Sequence, residues 1–158
     1  MTLFLDTTAV LARFLDSGLL GRIDGEVAFT TDGHVVAPPF FRGGDIGSLG
    51  VHGTVNDLAV SGAEPLALSM SLIIEEGLEL EALKRVVASA ANAAAACGVC
   101  IITGDTKVVA HGEADELFIT TAGIGRRVIS VDPCGLREGD RVLLSGPIAD
   151  HGVAVMSQ

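Results

Sequence analysis

Apolar residues recur at helical spacing through Leu80, Leu83, Val87, Ala90, Ala91, Ala94 and Cys97, which predicts an amphipathic helix with one face committed to a core. Glu79 and Glu81 fall at its start, where the helix dipole favours negative charge. A second helix is predicted from an Asp45 N-cap to about Ser61, with Gly62 as its stop. Ile46, Leu49, Gly53 and Leu58 line one of its faces, and Gly50 and Gly53 permit close backbone approach. Residues 26–36, "EVAFTTDGHVV", read as two short strands broken at Asp32-Gly33. "PLALSMSLII", "VCIITG" and "ELFITTAGIGRRV" read as further strands, the last reached by a polar turn around His111–Asp115. "APPFFRGGDIG" is a loop, since Pro38 and Pro39 exclude helix and Gly43-Gly44 loosen the backbone.

The order β-β-α-β-α-β-β predicts an α+β fold, a mainly antiparallel sheet with helices on one face. Beyond residue 131 a Pro/Gly boundary precedes one predicted strand, Arg141–Ser145, and the opening of a helix after Asp150. A strand and a helix stub bury too little area to stand alone. The expectation is therefore one domain over 1–131, with 132–158 as a linker and the start of a second, and the chain a fragment of a longer protein.

Composition changes the picture in one respect. Of the 158 residues, 49% are hydrophobic and only 4% aromatic, and the mean hydropathy is +0.53. A core of Ala, Val, Leu and Ile with that excess implies apolar surface buried against another subunit. The formal net charge of −10 argues against a nucleic-acid binder, which carries a basic stripe. The uncharged stretch Val86–Thr103 has the length of a membrane span, but Asn92 interrupts it and Gly98 divides it into two elements, so no span is predicted. Cys97, Cys100 and Cys134, without a signal peptide, point to a reducing cytoplasm. Cys97-Gly-Val-Cys100 has zinc-ligand spacing, yet no second pair follows; the simpler reading is a helix end, a Gly98 cap and a strand start.

The candidate chemistry lies in lone aspartates on an apolar, Gly-rich background. Asp57 follows "GTVN", Asp105 lies in "TGDTK", and Asp32 follows "TT". A solvated helix face accounts for any one of them. Carboxylates at element ends beside Thr and Gly also suit magnesium-phosphate binding, because magnesium takes one or two carboxylates and completes its shell with water and phosphate oxygens. Lys107 adds a compact cation there. Neither GxxxxGK[ST] nor GxGxxG occurs, which excludes P-loop and Rossmann sites. His52, on the same predicted helix as Asp57, reads as a packed or capping residue.

"FTTDGHVVAPPFFRGGDIGSLGVHGTVNDLAVSGAEPLALSMSLIIEEG" with "IITGDTKVV" resembles the HypE family of hydrogenase maturation proteins, within the superfamily of aminoimidazole ribonucleotide synthetase, selenophosphate synthetase and thiamine monophosphate kinase. The resemblance implies that residues 1–131 form an ATP-binding dimerisation domain that needs Mg2+ and pairs with a second copy into a barrel-like homodimer. It implies ATP-dependent dehydration of a carboxamide on the protein's own carboxy-terminal cysteine to a thiocyanate, supplying cyanide for nickel-iron hydrogenase with HypF and the HypC-HypD complex as partners. Carried over by position, Asp57 and Asp105, with Asp32 as a third, are magnesium ligands. Gly53, Thr54, Asn56, Thr103, Gly104 and Lys107 face the nucleotide, and Lys107 stabilises the transferring phosphoryl group. His151 of "ADHG" matches a motif at the start of the family's second domain, as cap or substrate contact.

The departures are expected to matter. Only Asp6 of "DTTAVL" stands in for the family's Asp-Asp-Ala-Ala-Val-like motif, and residues 12–24 read as an insertion. The terminal cysteine is missing and Cys134 is not a substitute, so this chain alone is expected to bind nucleotide weakly and not to complete the reaction. Two alternatives remain at this point: a small-molecule kinase or synthetase of the same superfamily, and a non-catalytic dimerisation and docking module.

Overall fold

The computed structural model describes residues 21–131, 133–144 and 146–157. Its elements are β1 (Val27–Val35), β2 (Phe40–Phe41), β3 (Gly44–Asp45), α1 (Ile46–Val60), β4 (Ala63–Glu75), α2 (Leu80–Ala96), β5 (Cys100–Val109) and β6 (Leu117–Arg127), then a 3-10 turn at Pro133–Gly135 and α3 (Asp150–Met156). Four strands form one sheet in the order β1-β6-β4-β5. β1 with β6 and β6 with β4 run antiparallel, whereas β4 and β5, joined through α2, run parallel. The α+β reading with a mainly antiparallel sheet holds.

The N-cap of α1 is the one the sequence predicts. The Asp45 carboxylate accepts from the Gly47 and Ser48 amides at 2.8 and 3.1 Å, and Ser48 Oγ accepts from the Asp45 amide at 3.2 Å, closing a capping box. At the far end the chain turns through Gly62, whose φ of +75° suits glycine. In α2 the buried positions are Leu83, Val86, Val87, Ala90, Ala93 and Ala94. The stripe is rotated from the predicted one because α2 packs against α1 as well as the sheet, which recruits Val86 and Ala93 and leaves Ala91 half-buried. Against these helices stand Leu68, Met70, Leu72 and Ile74 of β4 with Leu117 and Ile119 of β6. Each of these buried aliphatic side chains contributes about 1.5–3 kcal/mol relative to exposure.

Four local expectations are corrected. Residues 27–35 are one unbroken strand: Asp32 and Gly33 pair in register with Thr121 and Thr120, so the Asp-Gly turn signal yields to the ladder of β6. β5 runs to Val109 rather than ending at Gly104, which puts Asp105 and Lys107 inside a strand and not in a loop leaving it. Residues 141–144 are not in a strand, and Val142 and Leu143 are 88% and 89% exposed. Short pairing of β2 with β3 appears inside the segment read as loop. The readings placed on Asp6 and on residues 12–20 fall outside the described residues.

One sheet face carries the helices. On the other, side chains alternate outward, and Val27, Phe29 and Val35 of β1 are 53%, 69% and 63% exposed. Among the described residues no helix is long and apolar enough to cross a membrane.

Candidate functional site

Alternation along β1 sends Thr30, Asp32 and His34 toward α1. Thr30 Oγ1 donates to Asp57 Oδ2 at 3.0 Å, and His34 Nε2 lies 3.4 Å from Asp32 Oδ2. Gly53, one turn before Asp57, is what lets the helix sit this close. A Cβ there would meet Asp32 Oδ2 at 3.0 Å and His34 Cε1 at 3.2 Å. Two residues of strand (about 7 Å of rise) thus match one turn of helix (about 5.4 Å), and the Asp32 and Asp57 side chains lie along one seam.

Beneath that seam is a polar pillar that the sequence reading missed. Thr54 and Thr121 are both fully buried, with hydroxyl oxygens 2.5 Å apart. Thr121 Oγ1 also donates to the Gly50 carbonyl at 3.3 Å and lies 3.4 Å from His34 Nε2. Thr54, expected from the resemblance to face the nucleotide, has its hydroxyl engaged in packing α1 to β6. Asn56 and Asp57 remain exposed on the helix. The signal that finds His34 is period-2 alternation through an unbroken β1, which the assumed turn at Asp32-Gly33 hid.

Asp105 and Lys107 sit elsewhere. β5 is the opposite edge of the sheet from β1, and both side chains share its outward face, away from the helices. Lys107 Nζ is 2.9 Å from Asp105 Oδ2, and the Thr106 amide donates to Asp105 Oδ1 at 2.8 Å. The hydrogen bond from Lys107, then that from the Thr106 amide, hold the Asp105 carboxyl below its ordinary range. Both side chains are more than half exposed, so solvent screens the pair. Thr103 shares this outward face two residues earlier, and Gly104 instead approaches the Met70 carbonyl of β4.

One chain therefore sets Asp32, beside Gly53, and Asp57, on Thr30, one helical turn apart along the same seam and keeps Asp105 away from both. Among the described residues no group of three or more His, Cys, Asp or Glu is arranged to hold a metal ion. The three-carboxylate reading does not fit a single ion within one chain. Magnesium needs only one or two protein carboxylates when phosphate and water supply the rest, so the seam offers Asp32 and Asp57 as the carboxylates to test.

The other candidates separate cleanly. Cys97 caps α2, Gly98 follows with φ +70°, and Cys100 opens β5, as the simpler reading expected. His52 is not packed inside; it lies exposed, its Nδ1 3.6 Å from Cys97 Sγ. Cys134 sits in the exposed 3-10 turn, and His151 falls in the first turn of α3.

Residues 6–127 match the family described as AIR synthase related protein, N-terminal domain, and the chain belongs to that family. Within it the similarity is to HypE. The chain is 54% identical over 155 residues to the carbamoyl dehydratase HypE of Bradyrhizobium diazoefficiens, covering 94% of this chain and 43% of that protein. A crystal structure of a HypE–HypF complex aligns with a TM-score of 0.82 at 46% identity, over 96% of this chain and 52% of that one. Hydrogenase maturation protein HypE in complex with ATP aligns with a TM-score of 0.67 at 53% identity, over 68% of this chain and 32% of that one. The chain spans about two fifths of the length of the curated relatives it matches.

Proposed function

We propose that this chain is the ATP- and magnesium-binding part of a HypE-like carbamoyl dehydratase. The observation that carries the reading is the Asp32–Asp57 seam beside Gly53, in a chain 53% identical to a HypE solved with ATP. On this reading Asp32 and Asp57 hold the magnesium, Thr30 orients Asp57, and Asn56 faces the nucleotide from the same helix. Magnesium when bound neutralises triphosphate charge and the charge developing on the transferring phosphoryl group. That offset is what an acidic polypeptide needs to hold an anionic nucleotide.

A second copy seated on the open sheet face, closing a barrel-like homodimer, gives Asp105, Lys107 and Thr103 their role. These residues project from that face, so each copy presents them to the other, with Lys107 as the cation toward the phosphates. In the whole protein the reaction is phosphorylation of a cysteine S-carboxamide oxygen followed by elimination to a thiocyanate. HypF would supply the carbamoyl group and the HypC-HypD complex would receive the cyanide for nickel-iron hydrogenase, in the reducing cytoplasm. None of Cys97, Cys100 or Cys134 is cast as the acceptor thiol.

Calorimetric titration with the magnesium complex of a non-hydrolysable ATP analogue tests the site. Asp57→Asn and Asp32→Asn are each expected to weaken binding at least tenfold, about 1.4 kcal/mol. Equal affinity of the wild type and the D32N/D57N double variant would overturn the assignment. Sedimentation at matched concentrations tests the dimer, for which a purely monomeric chain is the contrary result.

A further inference from the structure

A second concavity lies away from the seam, at the end of the sheet where α1 begins. Its floor comes from the Pro38-Pro39-Phe40 turn and its wall from Leu78 and Ala82, an open groove of about 560 Å³. Local contacts fix its shape. The Pro39 carbonyl accepts from the Ile46 amide at 2.8 Å, which ties the turn to the head of α1. The chain leaves β4 through Gly77, with φ +109°, and the Leu78 amide closes back onto the Glu75 carbonyl at 3.2 Å. The Arg85 guanidinium lies 4.1 Å from the centroid of the Phe40 ring, so this floor already receives one basic side chain from its own protein.

The charge around that apolar floor is one-sided. Glu75 is buried and satisfied: it accepts from the Gly112 and Glu116 amides at 2.5 and 2.8 Å and faces His111 Nδ1 at 3.1 Å. Glu76, Glu79 and Glu116 are exposed on the rim, and none has an ion-pair partner among the described residues. Glu79 is the N-cap of α2 but makes no capping hydrogen bond with its side chain, so its carboxylate is available. Among the described residues Arg85 is the one lysine or arginine lining the groove, set against these three carboxylates. An anionic phosphate, nucleic acid or membrane surface is repelled by such a rim.

We infer that this groove docks a polypeptide segment that presents an arginine or lysine beside an apolar side chain. Long basic side chains lay an aliphatic stem on apolar surface while their charged head stays at a wet, acidic rim. The volume falls in the range of formed binding pockets, about 300–1,000 Å³. The groove opens beside the first turn of α1 and Asp57 lies in its last, about 16 Å along the helix. Docking here is therefore independent of the nucleotide reading, and either one stands if the other fails.

A pair of synthetic peptides tests it on the intact chain: acetylated Arg-Leu-Arg-Pro-Leu-Arg amide and the same peptide with Glu for every Arg. Amide NMR titration is expected to map the basic peptide to residues 76–82 and 111–116 and to show no response to the acidic one. Neutralising the rim with E76Q, E79Q and E116Q together, or filling the groove with Ala82→Arg, is expected to weaken binding at least tenfold. A control chain with Asp24, Glu26 and Glu64 neutralised at the opposite end of the sheet removes the same charge and is expected to bind like the wild type. No binding of the basic peptide at millimolar concentration overturns the inference, as does binding unaffected by the rim and groove variants or weakened equally by the control.

Discussion

Thr121→Val removes one hydroxyl from the middle of the protein while keeping the side-chain shape. Thr121 and Thr54 are both fully buried with oxygens 2.5 Å apart, and Thr121 alone reaches the Gly50 carbonyl at 3.3 Å. The single change leaves the Thr54 hydroxyl enclosed without that partner, which costs about 1–3 kcal/mol. Thr54→Val strips the pair from the other side but leaves Thr121 bonded to Gly50, so it is expected to cost less, about 0.5–1.5 kcal/mol. The double variant removes both hydroxyls together and is expected to be no worse than T121V alone, because no enclosed donor is left over. The coupling between the two sites is then about 1 kcal/mol and of compensating sign. Thermal unfolding followed by far-ultraviolet circular dichroism, at fixed protein concentration, reads this directly. A loss of 1–3 kcal/mol lowers Tm by roughly 2–12 °C in a chain of this size. A T121V chain that melts with the wild type, or a double variant that loses the full sum of the two singles, would refute the reasoning.

Gly47→Ala places a methyl against the Val86 carbonyl where α1 crosses α2, and 2.9 Å from the Asp45 capping oxygen. Overpacking of this kind costs about 1–3 kcal/mol or more, so the urea midpoint is expected to fall; an unchanged midpoint would remove Gly47 as the reason the helices approach so closely. Glu75 gives a pH signature. Hydrogen bonds from the Gly112 and Glu116 amides, then the His111 charge, hold its carboxyl below the ordinary value of 4.5. Because the folded-state value lies below the unfolded one, the stabilisation is fully present above that ordinary value and is lost as pH falls through the folded one. E75Q is therefore expected to show a shallower loss of stability than the wild type on acidification below pH 4.5; parallel acid profiles would contradict this.

Particular residues show where sequence reasoning reached and where it stopped. Asp45 was legible as a cap because a cap is local: the side chain, the amides it satisfies and the helix that follows lie within four residues. The α2 helix was legible from its period, yet its buried stripe came out rotated, since which residues are covered depends on where α1 lies. Asp32-Gly33 misled for the converse reason. A turn signal is a local preference, and pairing of Asp32 with Thr121 across the sheet outweighs it. The family motifs pointed to Asp32, Asp57 and Asp105, but their spacing does not say which of them share a seam and which stands apart.

By itself the sequence determined the alternation of helix and strand from α1 to β6, the cap and stop of α1, the Gly98 stop of α2, the apolar excess and the family, all properties of near neighbours or of composition. Only the tertiary structure decided that Asp57 bonds Thr30 and Asp32 lies beside Gly53 along the β1–α1 seam, while Asp105 pairs with Lys107 on the opposite edge and face. It also decided that Thr54 is buried against Thr121, and that the Pro38–Phe40 turn and the acidic residues after β4 share one groove. The physical reason is register. Side chains in a strand alternate between faces, and which strand lies at which edge is set by long-range pairing that no short stretch of sequence encodes.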